Sequence, residues 1–282
     1  MPHSQTTEAV APLTDAQLGA YLVRIGLPRP ARADFEALAA IHRAHLLSFT
    51  WEALDAFMGW PSSIDPQDAF AKMVARQRGG WCYEMNGLLG AALAALGFRV
   101  ARLCGAVNRE TLGDIVIGNH LTLRVDLEQP YLAEVGVADA LIGPVPMKVG
   151  PIRQRGFDFS ITRSDDGWLR FRNHQLGLAR SFDFQTNRRD EAAMLAMHHW
   201  LSEAPASPFT RSLALFRHTP EGYVALQNDR LRRITPGMVE EQRITSVDQF
   251  ADTLTATFGI AIPLPSEVWA KVVEVVAQSD AA

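Results

Sequence analysis

Three residue types used in nucleophilic catalysis occur in the order cysteine, histidine, acid along this 282-residue chain. Cys82 follows the glycine pair Gly79-Gly80 and begins an alanine- and leucine-rich segment that predicts a helix. A cysteine at a helix N-terminus faces partial positive charge, which favours the thiolate, the nucleophilic form of this side chain. Cys82 is therefore a candidate nucleophile; the alternative is a small core residue, since free cysteine is often buried.

A nucleophilic cysteine needs a base and a group that orients the base. His120 lies 38 residues after Cys82, at the start of an alternating segment that predicts a strand. Glu134 lies 14 residues further, in Tyr131–Val137, which predicts a second strand. Neighbouring antiparallel strands would place imidazole and carboxylate side by side. The rival acid is Asp139, which would face the other side of a regular strand. The alternative to a catalytic pair is that His120 is a surface histidine and Glu134 a solvated glutamate.

The predicted elements that must position these residues are helices in the first third of the chain and strands after it. In the first hundred residues the helix signals start at Thr14 and continue over Ala33–Leu46, Asp68–Arg76 and Cys82–Leu96. From about Phe98 apolar residues alternate, which indicates an antiparallel sheet or small barrel. The last third mixes predicted strands and helices: Gly222–Leu226, Arg230–Ile234, Ser246–Phe258 and Pro265–Ala277. This order predicts an α+β fold rather than alternating βαβ units.

Composition excludes several classes of protein. The chain has 27 basic and 31 acidic residues and a pI near 6.1, which argues against a nucleic-acid binder. No apolar run reaches the roughly 18 residues of a membrane span. Met1–Leu13 lacks a secretory signal, and Cys82 and Cys104 cannot form a disulfide framework, so we expect a cytoplasmic protein. His42 and His45 form at most half a metal site, and we predict no metal.

The stretch Arg78-Gly-Gly-Trp-Cys-Tyr-Glu-Met-Asn86 resembles the active-site signature of the arylamine N-acetyltransferases. That signature reads Arg-Gly-Gly, an aromatic residue, the catalytic Cys, an aromatic residue, Glu, any residue and Asn. Further segments similar to family motifs follow in family order: Tyr21–Gly26, His45–Asp55, Gly118–Val125, Tyr131–Gly136 and Ala206–Phe209. The resemblance therefore covers most of the chain.

The resemblance implies a fold of three units: a helical bundle that carries the cysteine (residues 1–103), an antiparallel β-barrel that carries histidine and acid (104–213) and an α/β lid (214–282). It implies a cysteine-protease-like triad of Cys82, His120 and Glu134. It also implies ping-pong transfer of an acetyl group from acetyl-CoA, through acetyl-Cys82, to arylamines, arylhydrazines or arylhydroxylamines. It further implies a cytoplasmic enzyme of xenobiotic metabolism that is a monomer or homodimer. Such an enzyme binds CoA and an amine and needs no metal, nucleic acid or membrane.

Three departures from the family pattern affect this expectation. The triad acid is usually Asp, whereas this chain has Glu134. The Phe-Gly that follows the acid motif is Val137-Ala138 here, and Trp51 takes the position of a pocket-lining Phe. Together with Phe209 of the Ser-Pro-Phe segment, Trp51 and Val137 are the predicted substrate-binding residues. Because these changes reshape the pocket, the preference for arylamines stays open.

Three alternative functions remain. An amide synthase of the same family would take a polyketide acyl chain from a carrier protein. A cysteine acyl-CoA hydrolase would pass the acyl group to water, and a silent binding protein would use none of this chemistry. The presence of Cys82, His120 and an acid argues against the last alternative.

Overall fold

The computed structural model describes residues 10–280 of the chain. Residues 1–9 and 281–282, which belong to the first and third predicted units, lie outside the described residues. The α-helices of the described part are α1 Asp15–Ile25, α2 Phe35–Ser48, α3 Leu54–Met58, α4 Pro66–Phe70, α5 Cys82–Ala95, α6 Arg109–Leu112, α7 Glu191–Glu203, α8 Pro208–Arg211, α9 Val247–Asp252 and α10 Pro265–Asp280.

The helix starts that the sequence predicts are set by side chains that accept hydrogen bonds from free N–H groups. Thr14 forms the predicted capping box with Gln17, and its hydroxyl accepts the Gln17 N–H at 3.3 Å. Asp34 accepts the Ala37 N–H at 3.0 Å and starts α2. The predicted helix over Asp68–Arg76 is divided into α4 and a π-helical turn, Ala71–Ala75.

The strands form two antiparallel sheets. An eight-stranded sheet has the order β5-β4-β3-β2-β9-β8-β7-β6, and a five-stranded sheet has the order β1-β10-β11-β12-β13. The strands are β1 Trp51–Glu52, β2 Arg99–Val107, β3 His120–Asp126, β4 Pro130–Leu132, β5 Val145–Pro146, β6 Gly150–Gln154, β7 Phe157–Arg163, β8 Leu169–Arg172, β9 Ser181–Phe184, β10 Ala214–His218, β11 Tyr223–Gln227, β12 Arg230–Thr235 and β13 Met238–Arg243.

The larger sheet curves into a nearly closed barrel, because a side chain links its two edges. Gln154, at the end of β6, accepts the N–H groups of Ile142 and Gly143 at 2.8 and 3.2 Å. Its amide donates to the Gly143 carbonyl at 3.1 Å. These two residues lie just before β5, so the open edges are held together. The predicted α+β architecture, with helices first and an antiparallel barrel in the middle, is confirmed.

Helix α5 lies at the centre of the molecule. It packs against α1, α2, α4, β2 and β3. Every residue from Cys82 to Leu93 is buried, which explains why the segment is apolar on all faces. The helix therefore carries its first residue, Cys82, to the boundary between the helical part and the barrel.

The predicted strand over Tyr131–Val137 is wrong in its second half, since β4 ends at Leu132. Glu134 lies in the loop that follows. Its side-chain Oε1 accepts the N–H groups of Gly136 and Val137 at 2.5 and 2.9 Å. These bonds turn the chain and remove both N–H groups from the sheet ladder.

Buried apolar side chains form two clusters in the described part of the chain. The first joins helices α1, α2 and α5 to the barrel. The second lies between the five-stranded sheet and the C-terminal helices and includes Leu54, Phe57, Phe250 and Phe258. Between residues 10 and 280, no helix is long and apolar enough to cross a membrane.

Candidate active site

The turn before Cys82 depends on close approach between two backbone segments. A Cβ atom on Gly79 would lie 2.1 Å from the Thr50 carbonyl oxygen, so no larger residue fits. Gly80 forms a parallel bridge with Trp51. The Glu84 carboxylate accepts the Trp81 N–H at 3.1 Å and closes the first turn of α5. Cys82 is thus fixed at a helix start with 6% of its surface exposed.

His120 and Glu134 meet beside Cys82. The His120 Nε2 atom lies 3.0 Å from Glu134 Oε2, and both residues are 1% exposed. Burial opposes protonation of His120, but the Glu134 charge and the hydrogen bond to Cys82 outweigh it and raise the pKa of the imidazole to about 10. Burial would raise the pKa of Glu134, but His120 and Asn86 lower it. The predicted side-by-side arrangement is therefore present, with the acid on a loop.

The side chain of Glu134 is one methylene longer than that of aspartate, and its two carboxylate oxygens bind different partners. Oε2 faces His120 at 3.0 Å, and Oε1 accepts from Asn86 Nδ2 at 3.0 Å and from two backbone N–H groups. Gly136 in this loop lies directly against Cys82, because a Cβ on Gly136 would be 2.9 Å from the Cα and Cβ of Cys82. The acid loop, residues 134–137, therefore forms one wall of the site.

Three side chains hold the backbone of the acid loop. The buried His42 has a pKa lowered to about 4 by desolvation, so it is neutral and donates from Nε2 to the Glu134 carbonyl at 3.0 Å. Trp51 Nε1 donates to the Gly136 carbonyl at 2.9 Å. Asn86 Oδ1 accepts the Val135 N–H at 3.1 Å. Asn86 belongs to the signature, although its contact with the acid loop was not predicted, and no sequence signal linked His42 to the acid.

The rival acid, Asp139, serves a different part of the structure. Its carboxylate accepts from Asn173 Nδ2 at 2.7 Å and from the Leu178 N–H at 2.6 Å. Its carbonyl accepts from His174 at 2.9 Å. Asp139 thus fixes the loop between β8 and β9, and Glu134 is the carboxylate that contacts His120.

A cavity of about 460 Å³ opens above Cys82 and His120. The three predicted substrate-binding residues, Trp51, Val137 and Phe209, all line it. Trp51 packs against Phe209 with ring centroids 5.9 Å apart. The remaining lining includes side chains that the sequence did not single out: Leu112, Leu178, Met197, Trp200 and Phe216. A small organic molecule that enters this cavity would meet the Cys82 side chain, which lines it.

A buried charged cluster supports the turn that carries Cys82. It consists of three carboxylates and two cations: Glu52, Asp55, Glu84, Lys72 and Arg78. Lys72 Nζ lies 2.7 Å from Asp55 and 2.9 Å from Glu84, and Arg78 Nη2 lies 2.8 Å from Glu52. Burial, opposed by Lys72, raises the pKa of Glu84 to about 7. Arg78 and Glu84 of the signature thus belong to the buried cluster that supports the turn before Cys82.

The histidines considered as half a metal site have other partners. His42 binds the acid loop, and the His45 Nδ1 atom lies 3.0 Å from the Tyr21 hydroxyl. Within residues 10–280, no group of three or more His, Cys, Asp or Glu side chains could hold a metal ion.

Comparisons with known proteins agree with this geometry. A model of the N-acetyltransferase family matches residues 34–266. The arylamine N-acetyltransferase of Mycolicibacterium smegmatis is 33% identical over 251 residues, which cover 86% of this chain and 91% of that protein.

Solved structures are also similar. The arylamine N-acetyltransferase of Mycobacterium marinum in complex with CoA has a TM-score of 0.83 at 26% identity, over 92% of this chain and 99% of that one. The enzyme of Bacillus cereus, described as having a unique Cys-His-Glu catalytic triad, has a TM-score of 0.76 at 23% identity, over 89% of this chain and 100% of that one. At that identity the likeness concerns the fold.

Proposed function

Because this chain belongs to the arylamine N-acetyltransferase family, we propose that it transfers an acetyl group from acetyl-CoA to an arylamine, arylhydrazine or arylhydroxylamine through acetyl-Cys82. The observation that carries the proposal is the 3.0 Å contact of His120 with Glu134 at a cavity that both His120 and Cys82 line. The CoA complex of the Mycobacterium marinum relative supports acetyl-CoA as the donor. The Cys-His-Glu triad described for the Bacillus cereus relative supports Glu134 as the acid.

In the first half-reaction His120 takes the Cys82 thiol proton, and Sγ attacks the thioester carbonyl of acetyl-CoA. The carbon–sulfur bond to CoA then breaks, and His120 returns the proton to the leaving sulfur. Cys82 is the first residue of α5, so its own N–H has no partner within the helix and can stabilise the oxyanion. One thioester replaces another, so the step needs no energy source besides the donor.

In the second half-reaction the amine nitrogen attacks the acetyl carbonyl of acetyl-Cys82. His120 accepts the proton of the attacking nitrogen and gives a proton to the departing Cys82 sulfur. Glu134 stabilises the protonated imidazole and fixes the ring orientation from 3.0 Å. Trp51, Val137 and Phe209 are proposed to contact the acceptor, since they line the cavity.

The experiment is intact mass spectrometry of the protein after mixing with acetyl-CoA and no amine. We expect a gain of one acetyl group, mapped to Cys82 and lost when an arylamine is added. Cys82→Ala should fold and gain nothing. Wild-type acetylation of amines by Cys82→Ala would overturn the mechanism.

The same experiment separates the alternatives. A hydrolase would lose its acetyl group to water at the same rate with and without amine. A protein that stays unmodified by acetyl-CoA but accepts an acyl chain from a carrier protein would be the amide synthase. We further propose a cytoplasmic location, where Cys82 stays reduced, and a monomer or homodimer built of the units 1–103, 104–213 and 214–282.

A further inference from the structure

The cavity above Cys82 reaches the surface between large apolar side chains. Leu112, Leu178 and Trp200 all line the cavity and are 55%, 57% and 45% exposed. They come from α6, from the loop between β8 and β9, and from α7. Exposed apolar side chains from separate segments that gather at one opening mark a binding surface. We call these three residues the apolar rim.

Outside the proposed triad, the described residues that line the cavity offer no cationic side chain to an ionised substituent of a substrate. Among the described residues that line it, there is no lysine or arginine, and the titratable ones are Cys82, His120 and Asp139. Cys82 and His120 belong to the proposed triad. Asp139 is an acid whose oxygens already accept from Asn173 and Leu178. Outside the triad, a carboxylate that entered would lose its water and meet only uncharged donors, such as the side chains of Asn108, Ser212 and Gln227, which do not balance its charge.

The size of the cavity exceeds the needs of one aromatic ring. Its volume of about 460 Å³ falls within the range of pockets that enclose drug-sized ligands. Cys82, Trp51 and Phe209 line the same cavity as the apolar rim, so the ring of an amine at acetyl-Cys82 would fill only part of its volume. A group attached to the ring opposite the nitrogen would extend away from acetyl-Cys82, into the remaining volume that the apolar rim also lines.

On this basis, and resting on the proposed function, we propose that the preferred acceptors are neutral arylamines or arylhydrazines with an apolar extension opposite the nitrogen, bound by Leu112, Leu178 and Trp200. The extension exchanges water for apolar contact at the rim. Acceptors whose extension ends in a carboxylate are disfavoured, because no lysine or arginine among the described lining residues balances the charge.

The test uses 4-alkylanilines from methyl to hexyl, and it compares 4-butylaniline with 4-(4-aminophenyl)butanoate. In this pair the alkyl chain separates the charge from the nitrogen, so the amines have similar nucleophilicity. We expect kcat/KM to rise by up to about fourfold per methylene until the rim is covered. The carboxylate should have a kcat/KM at least about tenfold below that of 4-butylaniline. A flat alkyl series, or equal rates for the pair, would overturn the proposal.

Variants locate the effect at the rim. Trp200→Ala should flatten the alkyl series, whereas Leu195→Ala should leave it unchanged. Leu195 is on the same helix and is similarly exposed at 44%, but it lines a different cleft. Leu178→Arg should raise kcat/KM for the carboxylate relative to 4-butylaniline, because it supplies the missing cation. An equal effect of the two alanine variants would contradict the role of Trp200.

Mass spectrometry of Cys82 acetylation by acetyl-CoA distinguishes failure of this inference from failure of the proposed function. If Cys82 is not acetylated, the proposed function fails. If Cys82 is acetylated normally but the alkyl series is flat, only the inference fails. If Trp200→Ala slows Cys82 acetylation as much as acetyl transfer to the amine, the rim serves the donor, and the inference is overturned.

Discussion

The proposed triad acid, Glu134, has a carboxylate whose two oxygens serve different partners. Glu134 uses one oxygen for His120 and the other for Asn86 and its own loop. The loop backbone cannot follow a shorter side chain, because His42 holds the Glu134 carbonyl and Asn86 holds the Val135 N–H. The extra methylene relative to aspartate is therefore matched by the position of the loop.

Replacement of Glu134 by the family's usual acid should consequently impair this protein. In Glu134→Asp the carboxylate retreats by about 1.5 Å, the length of one carbon–carbon bond, and loses either His120 or its loop contacts. We expect Cys82 acetylation to slow by roughly tenfold or more, and by roughly 10²-fold or more in Glu134→Gln, which also removes the charge. Single-turnover acetylation followed by mass measures both.

Asp139→Asn is the control for the acid. Asp139 is 2% exposed but contacts Asn173 and Leu178 rather than His120. An asparagine oxygen can still accept the Leu178 N–H, so acetylation should stay within a few-fold of wild type. A loss equal to that of Glu134→Gln would show that Asp139 is the acid.

At the scale of elements, the start of α5 is supported by the buried charged cluster. Lys72, on the π-helical turn after α4, lies within 3.5 Å of three carboxylates, Glu52, Asp55 and Glu84. A buried pair that loses one partner leaves an uncompensated charge, which is strongly destabilising. The cluster contains one more carboxylate than cations, so removal of a cation should destabilise the fold more than removal of a carboxylate.

Lys72→Met should lower the free energy of unfolding by about 3–5 kcal/mol, because Glu84 would lose its ion pair with Lys72, and Glu52 and Asp55 would share Arg78. Glu84→Gln should be mild, since glutamine can still accept the Trp81 N–H and the remaining charges balance. Denaturant unfolding at pH 7 measures both variants. Equal destabilisation by the two would contradict this account of the cluster.

The same cluster predicts a pH dependence. Burial raises the pKa of Glu84 from 4.5 to about 7, so between these values the folded state binds more protons than the unfolded chain. The contribution of Glu84 to stability is then full below about pH 4.5 and is lost as the pH rises through 7, by up to about 3 kcal/mol. Glu84→Gln should remove this decrease, whereas the exposed Glu203→Gln should keep it.

At the scale of the whole molecule, the proposed triad lies with one of the two apolar clusters and not with the other. The first cluster joins α5 to the barrel, so Cys82 and His120 share one core. The second cluster contains Phe250 and the C-terminal helices. Residues that belong to separate cores can unfold with separate free energies. We therefore expect the C-terminal part to open independently of the triad.

Hydrogen exchange tests this expectation. Phe250→Ala creates a cavity in the second cluster and should cost about 3–5 kcal/mol there. Exchange should accelerate in α9 and α10 and stay unchanged in α5. Phe171→Ala in the barrel core is the matched control and should accelerate exchange in α5 and the barrel. Equal acceleration everywhere in both variants would mean that the molecule unfolds as one unit.

The sequence by itself determined the features that depend on neighbouring residues. The Thr14 cap, the start of α5 at Cys82 and the strand that begins at His120 are all observed as predicted. They follow from capping side chains and apolar periodicity, which act over a few residues. The Cys82 signature and the order of the other motifs also identified the family, and the family model confirms it.

The tertiary structure alone decided the features that depend on distant residues. Glu134 lies on a loop rather than in a strand, because its own side chain captures the following N–H groups. His42 reaches that loop from 92 residues away, and no periodicity encodes such a contact. The apolar rim likewise joins Leu112, Leu178 and Trp200 from three segments. Local patterns fix which elements form, whereas the packing of α5 against the barrel decides which side chains meet at Cys82.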